Sequence, residues 1–125
     1  MTANFLDRFR AALLAILLAA AFAVPALAGP FEDAVAKFAN DDFSDTDEAI
    51  GIVAASGNPL AFPIISALQE GRLSADPESR KVFVTGSDGK IIDAATGAAV
   101  DKLPDGAAAV RLNNRLRRTV EAALG

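Results

Sequence analysis

The first 28 residues differ from the rest of the chain and limit how much of it is left to form a fold. Two arginines, Arg8 and Arg10, precede an apolar run over 11–24, and a small-residue triplet follows at 26–28. A basic start, a short apolar core and an A-x-A triplet are the three parts of a secretory signal peptide. We therefore expect residues 1–28 to be a signal peptide. The residues of the predicted cleavage site are Ala26, Ala28 and Gly29.

The length of the apolar run favours export over membrane anchoring. Its fourteen residues span roughly 21 Å as a helix, which is shorter than the ~30 Å hydrocarbon core of a bilayer. An uncleaved anchor that also recruits residues 25–28 is the alternative. Cleavage predicts an exported, periplasmic protein that starts at Gly29, and N-terminal sequencing distinguishes the two.

The composition of the remaining 97 residues excludes several classes of function. The chain has no histidine and no cysteine, so it lacks the commonest general base, the commonest metal ligand and any thiolate nucleophile. Its formal net charge of −4 argues against general binding to phosphate backbones. The sequence therefore predicts one small non-catalytic domain with no cofactor, no metal site and no nucleic-acid partner.

Apolar spacing predicts three helices in the first half of this domain. A stripe at Phe31, Ala34, Val35, Phe38 and Ala39 has helical period. A second helix is expected over 45–56, capped by Asp45 or Ser44, and a third over 60–70. The three-residue connection between the last two predicts antiparallel neighbours that resemble one unit of a HEAT-type repeat.

The second half begins with β-prone residues and ends with a helix. Residues 81–85 and 91–93 flank a Gly- and Asp-containing turn, which predicts a β-hairpin near 81–93, and 98–100 is a further short candidate strand. An amphipathic helix is expected from Asn113 or Asn114 to Leu124. The predicted fold class is mainly α: a HEAT-like antiparallel helical pair, a small β-hairpin and a C-terminal amphipathic helix.

Five carboxylates crowd the segment 41–48 and raise the question of a metal or acid–base site. An EF-hand loop that starts at Asp45 lacks the required residues at its fifth and sixth positions. A glycosidase pair is unsupported because the sugar-stacking residues Trp and Tyr are absent. Capping of the following helix is the favoured interpretation.

The segment Gly86-Ser87-Asp88-Gly89-Lys90 superficially suggests a phosphate-binding loop. A Walker A loop needs a glycine where Val84 stands and a hydroxyl residue where Ile91 stands. A KH-type loop would need flanking helices. A hairpin turn is therefore the favoured interpretation.

Four arginines near the end of the chain are the candidate docking residues. A basic amphipathic helix can bind an acidic partner or an anionic membrane. The alternative is a solvated face of a packed helix, with acids of this same domain as its partners. The candidates are Arg111, Arg115, Arg117 and Arg118.

Several segments in order give the chain a specific resemblance. They are FEDAVAKF at 31–38, SGNP at 56–59, KVFV at 81–84, DAATG at 93–97 and NNRLRR at 113–118. Behind a signal peptide, this order resembles the exported N-terminal extension of urea ABC transporter permeases, which are members of the branched-chain amino acid permease family.

The resemblance implies a membrane machine and a set of partners. The partners are the membrane part of the permease, the second permease subunit, the ATPase subunits and a periplasmic urea-binding protein. No apolar stretch of spanning length follows residue 28, so we expect residues 29–125 to be an incomplete piece of a longer extension. The implied function is non-catalytic help in urea uptake; a free-standing periplasmic protein-binding module is the alternative.

Overall fold

The computed structural model of this chain describes residues 29–125. The predicted signal peptide, with Ala26 and Ala28 of its cleavage site, lies outside the described residues. The helices are α1 (Pro30–Lys37), α2 (Phe43–Ala55), α3 (Ala61–Gln69) and α4 (Asn114–Leu124), and the 3₁₀ turn Phe38–Asn40 separates α1 from α2. The strands are β1 (Leu73–Asp76), β2 (Lys81–Thr85), β3 (Ile91–Asp93), β4 (Ala99–Val100) and β5 (Ala108–Ala109).

The five strands form one antiparallel sheet, which overturns the predicted fold class. Their order is β4-β3-β2-β1-β5. The expected hairpin near 81–93 is present as β2 and β3, but it is only the middle of this sheet. Because the described residues are 45% helical and 16% strand, the fold is mixed α/β. The prediction of a mainly α fold with a HEAT-like pair and a single hairpin was wrong.

The strands that the sequence analysis missed depend on pairing for their stability. β1 reads Leu-Ser-Ala-Asp, and β5 consists of two alanines. These residues have little strand propensity of their own, since β-branched and aromatic side chains are absent. β1 is fixed by its register on β2, in which Leu73 faces Val84 and Ala75 faces Val82. β5 then pairs with the free edge of β1.

One face of the sheet packs against the helices to form the core. Val82 and Val84 alternate with Phe83 along β2, so the two valines reach the helical layer while Phe83 points to the opposite face. The predicted apolar stripe over 31–39, which runs through α1 and the following 3₁₀ turn, is buried as expected. It contributes Phe31, Ala34, Val35, Phe38 and Ala39 to the core, beside Ile50 and Val53 of α2 and Ile64, Ile65 and Leu68 of α3.

The helix α2 begins at Phe43, two residues before the predicted start at residue 45. Asp42 is the N-cap residue: its backbone is extended (φ −130°, ψ 125°), and its carboxylate accepts a hydrogen bond of 2.9 Å from the Asp45 N–H. The predicted caps, Asp45 and Ser44, lie inside the helix. Phe43 can therefore occupy the first helical position, although its side chain stays 42% exposed.

The helix α4 returns to the core beside α2 and α3. Leu116 and Val120, one turn apart, are both fully buried there. Since none of the helices within 29–125 combines the length and the apolar character needed to cross a bilayer, none of them is a candidate span.

Candidate docking surface

The anchoring of α4 determines where the four candidate arginines lie. Asn113 caps the helix, because its side-chain oxygen accepts a hydrogen bond of 2.8 Å from the Leu116 N–H. The buried side chains of Leu116 and Val120 then fix the rotation of the helix about its axis. A side chain on α4 is therefore presented in a fixed direction.

Arg111 precedes α4 and contacts the start of α2. Its Nε atom donates to Asp41 Oδ1 at 2.9 Å, and its guanidinium carbon lies 5.5 Å from the centre of the Phe43 ring. Asp41 has a left-handed backbone (φ 52°), which places it between the 3₁₀ turn and α2. Arg111 therefore joins the C-terminal segment to the N-terminal end of α2.

Arg115 lies on the same side of α4. Its Nη2 atom is 3.9 Å from Asp47 Oδ2, and its side chain is 79% exposed. An exposed pair at this distance contributes little stability. Arg111 and Arg115, two of the four predicted docking residues, therefore face carboxylates of the same domain. This agrees with the alternative interpretation, in which acids of this domain are the partners of the arginines.

Arg117 and Arg118 are arranged differently. Both are exposed, and within residues 29–125 neither has a carboxylate oxygen within 4.0 Å. Arg117 lies beside a shallow groove between α3 and α4, which Gln69 and Glu121 also line. Arg118 follows the buried Leu116 by two residues, about 200° around the helix, so it points away from the core. Of the four candidate docking residues, Arg117 and Arg118 are therefore the two that remain available to bind a partner.

The acidic segment 41–48 has structural contacts along its length. In addition to the cap at Asp42, Asp45 accepts a hydrogen bond of 3.1 Å from the Asn40 side chain. Glu48 forms an ion pair of 3.2 Å with Lys37 of α1. In the part of the chain that the structure describes, no three acidic side chains converge in a way that could hold a metal ion.

The Gly-containing segment 86–90 is the turn between β2 and β3, as predicted. The Gly86 N–H donates to the Lys90 carbonyl at 2.7 Å, and Gly89 has a positive φ of 85° that favours glycine. Asp88 accepts a hydrogen bond from the Lys90 N–H at 3.0 Å. The polar groups of this segment therefore close the turn.

Gly29, the predicted first residue of the exported protein, is the N-cap residue of α1. Its backbone is extended (φ −86°, ψ 174°), and its N–H donates to the Glu32 carboxylate at 3.0 Å. The predicted cleavage point therefore directly precedes the first helix.

One prominent surface residue, Phe62, is not among the residues predicted from the sequence. Phe62 in the first turn of α3 is 67% exposed, the highest value among the large apolar side chains of residues 29–125. The signal was available, since Phe62 stands outside the helical stripe formed by Ile64, Ile65 and Leu68. A residue off the apolar stripe of an amphipathic helix faces away from the core and is expected to be exposed.

Comparisons with known proteins found no relative of this chain. No protein-family model, curated protein or solved structure matches the chain. The resemblance to urea permease extensions therefore stays a prediction from the sequence segments quoted above.

Proposed function

We propose that this chain is a non-catalytic exported domain of a urea ABC transporter permease. It helps urea uptake by docking to the membrane part of the permease or to the periplasmic urea-binding protein. The observation that carries the proposal is the position of Arg117 and Arg118. They belong to the segment 113–118, the most specific part of the resemblance, and they are exposed on a helix whose rotation is fixed by buried residues.

The chemistry of the two arginines suits a docking contact. A guanidinium group is planar, always charged and less strongly hydrated than an ammonium group, so it pairs with carboxylates in interfaces. The buried Leu116 and Val120 hold α4 in place, so little backbone freedom is lost when a partner binds. The chain is acidic overall, and this basic pair therefore distinguishes one face of the domain.

A docking role also agrees with the residues that the chain lacks. With no histidine and no cysteine, the chain has neither the usual general base nor a thiolate nucleophile. The proposal therefore assigns the domain no reaction of its own and places the transport step in the other subunits.

Charge reversal at the two arginines tests the proposal. We expect Arg117→Glu combined with Arg118→Glu to lower the uptake of labelled urea in cells that express the permease with this domain. The physical reason is repulsion from the carboxylates that the arginines would meet. Binding of the purified chain to the urea-binding protein and to the membrane subunits, measured separately, identifies the partner.

Lys81→Glu combined with Lys102→Glu is the matched control, because both lysines are exposed and the change in net charge is the same. This control variant should transport at the normal rate. Equal uptake and equal binding for the two double variants, at equal expression, would contradict the docking role.

A further inference from the structure

Gly29 makes two ordered backbone contacts at the start of α1. Its N–H donates to Glu32 Oε2 at 3.0 Å, and its carbonyl accepts a hydrogen bond of 3.0 Å from the Asp33 N–H. Both Gly29 and Glu32 are half-buried. The nitrogen that cleavage after Ala28 would release is therefore already held against a carboxylate.

Glycine at position 29 leaves room for the Glu32 carboxylate. A Cβ atom added to Gly29 would lie 2.7 Å from Glu32 Oε2, closer than Cβ atoms approach other heavy atoms. The backbone itself does not require glycine, because its φ of −86° is accessible to every residue. The missing side chain of Gly29 is therefore what allows the carboxylate to reach the backbone nitrogen.

Cleavage by a signal peptidase changes the charge of this nitrogen. The amide bond between Ala28 and Gly29 breaks, the oxygen of one water molecule joins the Ala28 carboxylate, and both hydrogens of that water end as protons on the Gly29 nitrogen. The product is an α-ammonium group at the start of α1. A positive charge is unfavourable there, because the helix dipole is positive at its N-terminal end.

We infer that in the exported chain the Gly29 α-ammonium group forms an ion pair with the Glu32 carboxylate, which offsets the unfavourable interaction with the helix dipole. We call this contact the N-terminal ion pair. The inference rests on the export and cleavage that are part of the proposed function, and it does not depend on docking by Arg117 and Arg118. A charge-assisted hydrogen bond then replaces the neutral one, so removal of the signal peptide strengthens the cap of α1.

The other charged groups on α1 and on the elements packed against it leave this role to Glu32. Asp45 and Glu48 are anchored near the opposite end of α1, by contacts with Asn40 and Lys37. The rest of α2, residues 49–55, contains no titratable side chain. The charged residues of these elements, apart from Glu32, are Asp33 and Lys37 of α1, Asp45, Asp47 and Glu48 of α2, and Lys81 of β2.

The N-terminal ion pair has a signature that a neutral helix cap does not have. An adjacent carboxylate favours the charged form of the amino group, so its pKa should lie above the ordinary α-amino value of about 7.7 to 8.0. The stability that the ion pair contributes is therefore present at neutral pH and is lost as the pH rises through the folded pKa. An amide nitrogen does not titrate in this range.

Titration of the processed chain by NMR tests the inference. The full chain is expressed with ¹³C labelling, exported under its own first 28 residues and purified from the periplasm, and N-terminal sequencing should show Gly29 first. The ¹³Cα chemical shift of Gly29 is then followed against pH. We expect Glu32→Gln to lower the titration midpoint by about 0.5 pH units.

Two further variants separate the ion pair from a general effect of charge. Asp33→Asn is the matched control, because it removes the same charge from the next residue, which is exposed. Its midpoint should stay close to that of the unaltered chain. Gly29→Ala keeps a small residue at the cleavage site, but its Cβ displaces the Glu32 carboxylate, so the midpoint of the new first residue should fall as it does for Glu32→Gln. Far-UV circular dichroism shows that each variant is folded.

Three results would overturn the inference: a processed chain that begins at another residue, an unchanged midpoint in Glu32→Gln, or an equal fall of the midpoint in Asp33→Asn. Each of these results leaves the test of docking as it is, because that test compares urea uptake between charge variants. Conversely, normal uptake by the Arg117→Glu/Arg118→Glu variant would contradict docking and leave the N-terminal ion pair intact.

Discussion

The substitution Leu116→Ala tests whether α4 is a rigid part of the fold. Leu116 is 1% exposed and lies against the faces of α2 and α3. The change deletes three carbon atoms from this position and leaves the exposed arginines of the helix in place. If the packing is as described, the free energy of unfolding must fall substantially.

The expected loss is about 3 to 4 kcal/mol. Removing three buried carbon groups costs about 2.4 kcal/mol in transfer free energy, and incomplete collapse of the cavity adds to this. A domain of this size has about 5 to 15 kcal/mol of stability in total. Leu116→Ala should therefore leave a folded but marginally stable domain, in which α4 unfolds readily.

Denaturation by guanidinium chloride, followed by far-UV circular dichroism, measures the loss. The chain has no tryptophan and no tyrosine, so intrinsic fluorescence offers little signal. Arg118→Ala is the control on the same helix, and its effect should stay within about 0.5 kcal/mol because the side chain is exposed. A loss below about 1 kcal/mol for Leu116→Ala would refute the packing of α4 and, with it, the fixed presentation of Arg117 and Arg118.

Two further predictions concern the connections between elements. A double-mutant cycle on Arg111 and Asp41, measured by the same denaturation assay, should give a coupling energy of about 0.5 kcal/mol, because both side chains are more than 60% exposed. This coupling energy should vanish in about 1 M NaCl, where salt screens the charges. A coupling energy that persists in high salt would contradict an ionic contact. Gly51→Ala should raise the thermal midpoint by the equivalent of about 0.5 to 1 kcal/mol, since Gly51 is inside α2 with nothing within 4 Å of an added Cβ. Gly71→Ala should lower the thermal midpoint by a similar or larger amount, because φ at this position is +75°. If both alanine variants shifted the midpoint in the same direction, backbone conformation would not be the cause of the effect.

The helices could be predicted because their signals are local. The apolar spacing of residues 31–39 predicted a buried stripe, and every residue of that stripe is in the core. The second helix was expected to end at residue 56, and it ends at Ala55. The last helix was expected to start at Asn113 or Asn114, and Asn113 caps it. Each of these features depends on neighbours within about one or two turns of chain.

The sheet was underestimated because its extra strands have no local signal. Ala108 and Ala109 are recognisable as a strand only beside Ser74 and Ala75, which are far away in sequence. The cap of α2 was misplaced for a related reason. Several carboxylates in 41–48 could each cap the helix, and the structure uses Asp42, which follows the left-handed Asp41.

The candidate site was predicted in part. Arg111 and Arg115 were selected as members of a basic segment near the end of the chain. That pattern carries no information about their contacts with Asp41 and Asp47, which lie on other elements. The exposure of Phe62 likewise depends on which neighbours cover α3. Contacts between elements, rather than patterns within them, decide which side chains stay available.

The strand order also sets a sequence of events in folding. Strands β1 to β4 pair with neighbours in the chain, whereas β5 and α4 must return to the opposite edge of the sheet and to the faces of α2 and α3. A chain that emerges from its N-terminal end first can form the four-stranded meander early. The faces of α2 and α3 that pack against α4 lack this cover until the last residues arrive. Completion of the core therefore coincides with placement of Arg117 and Arg118, so that the basic pair reaches its final position only on a fully folded domain.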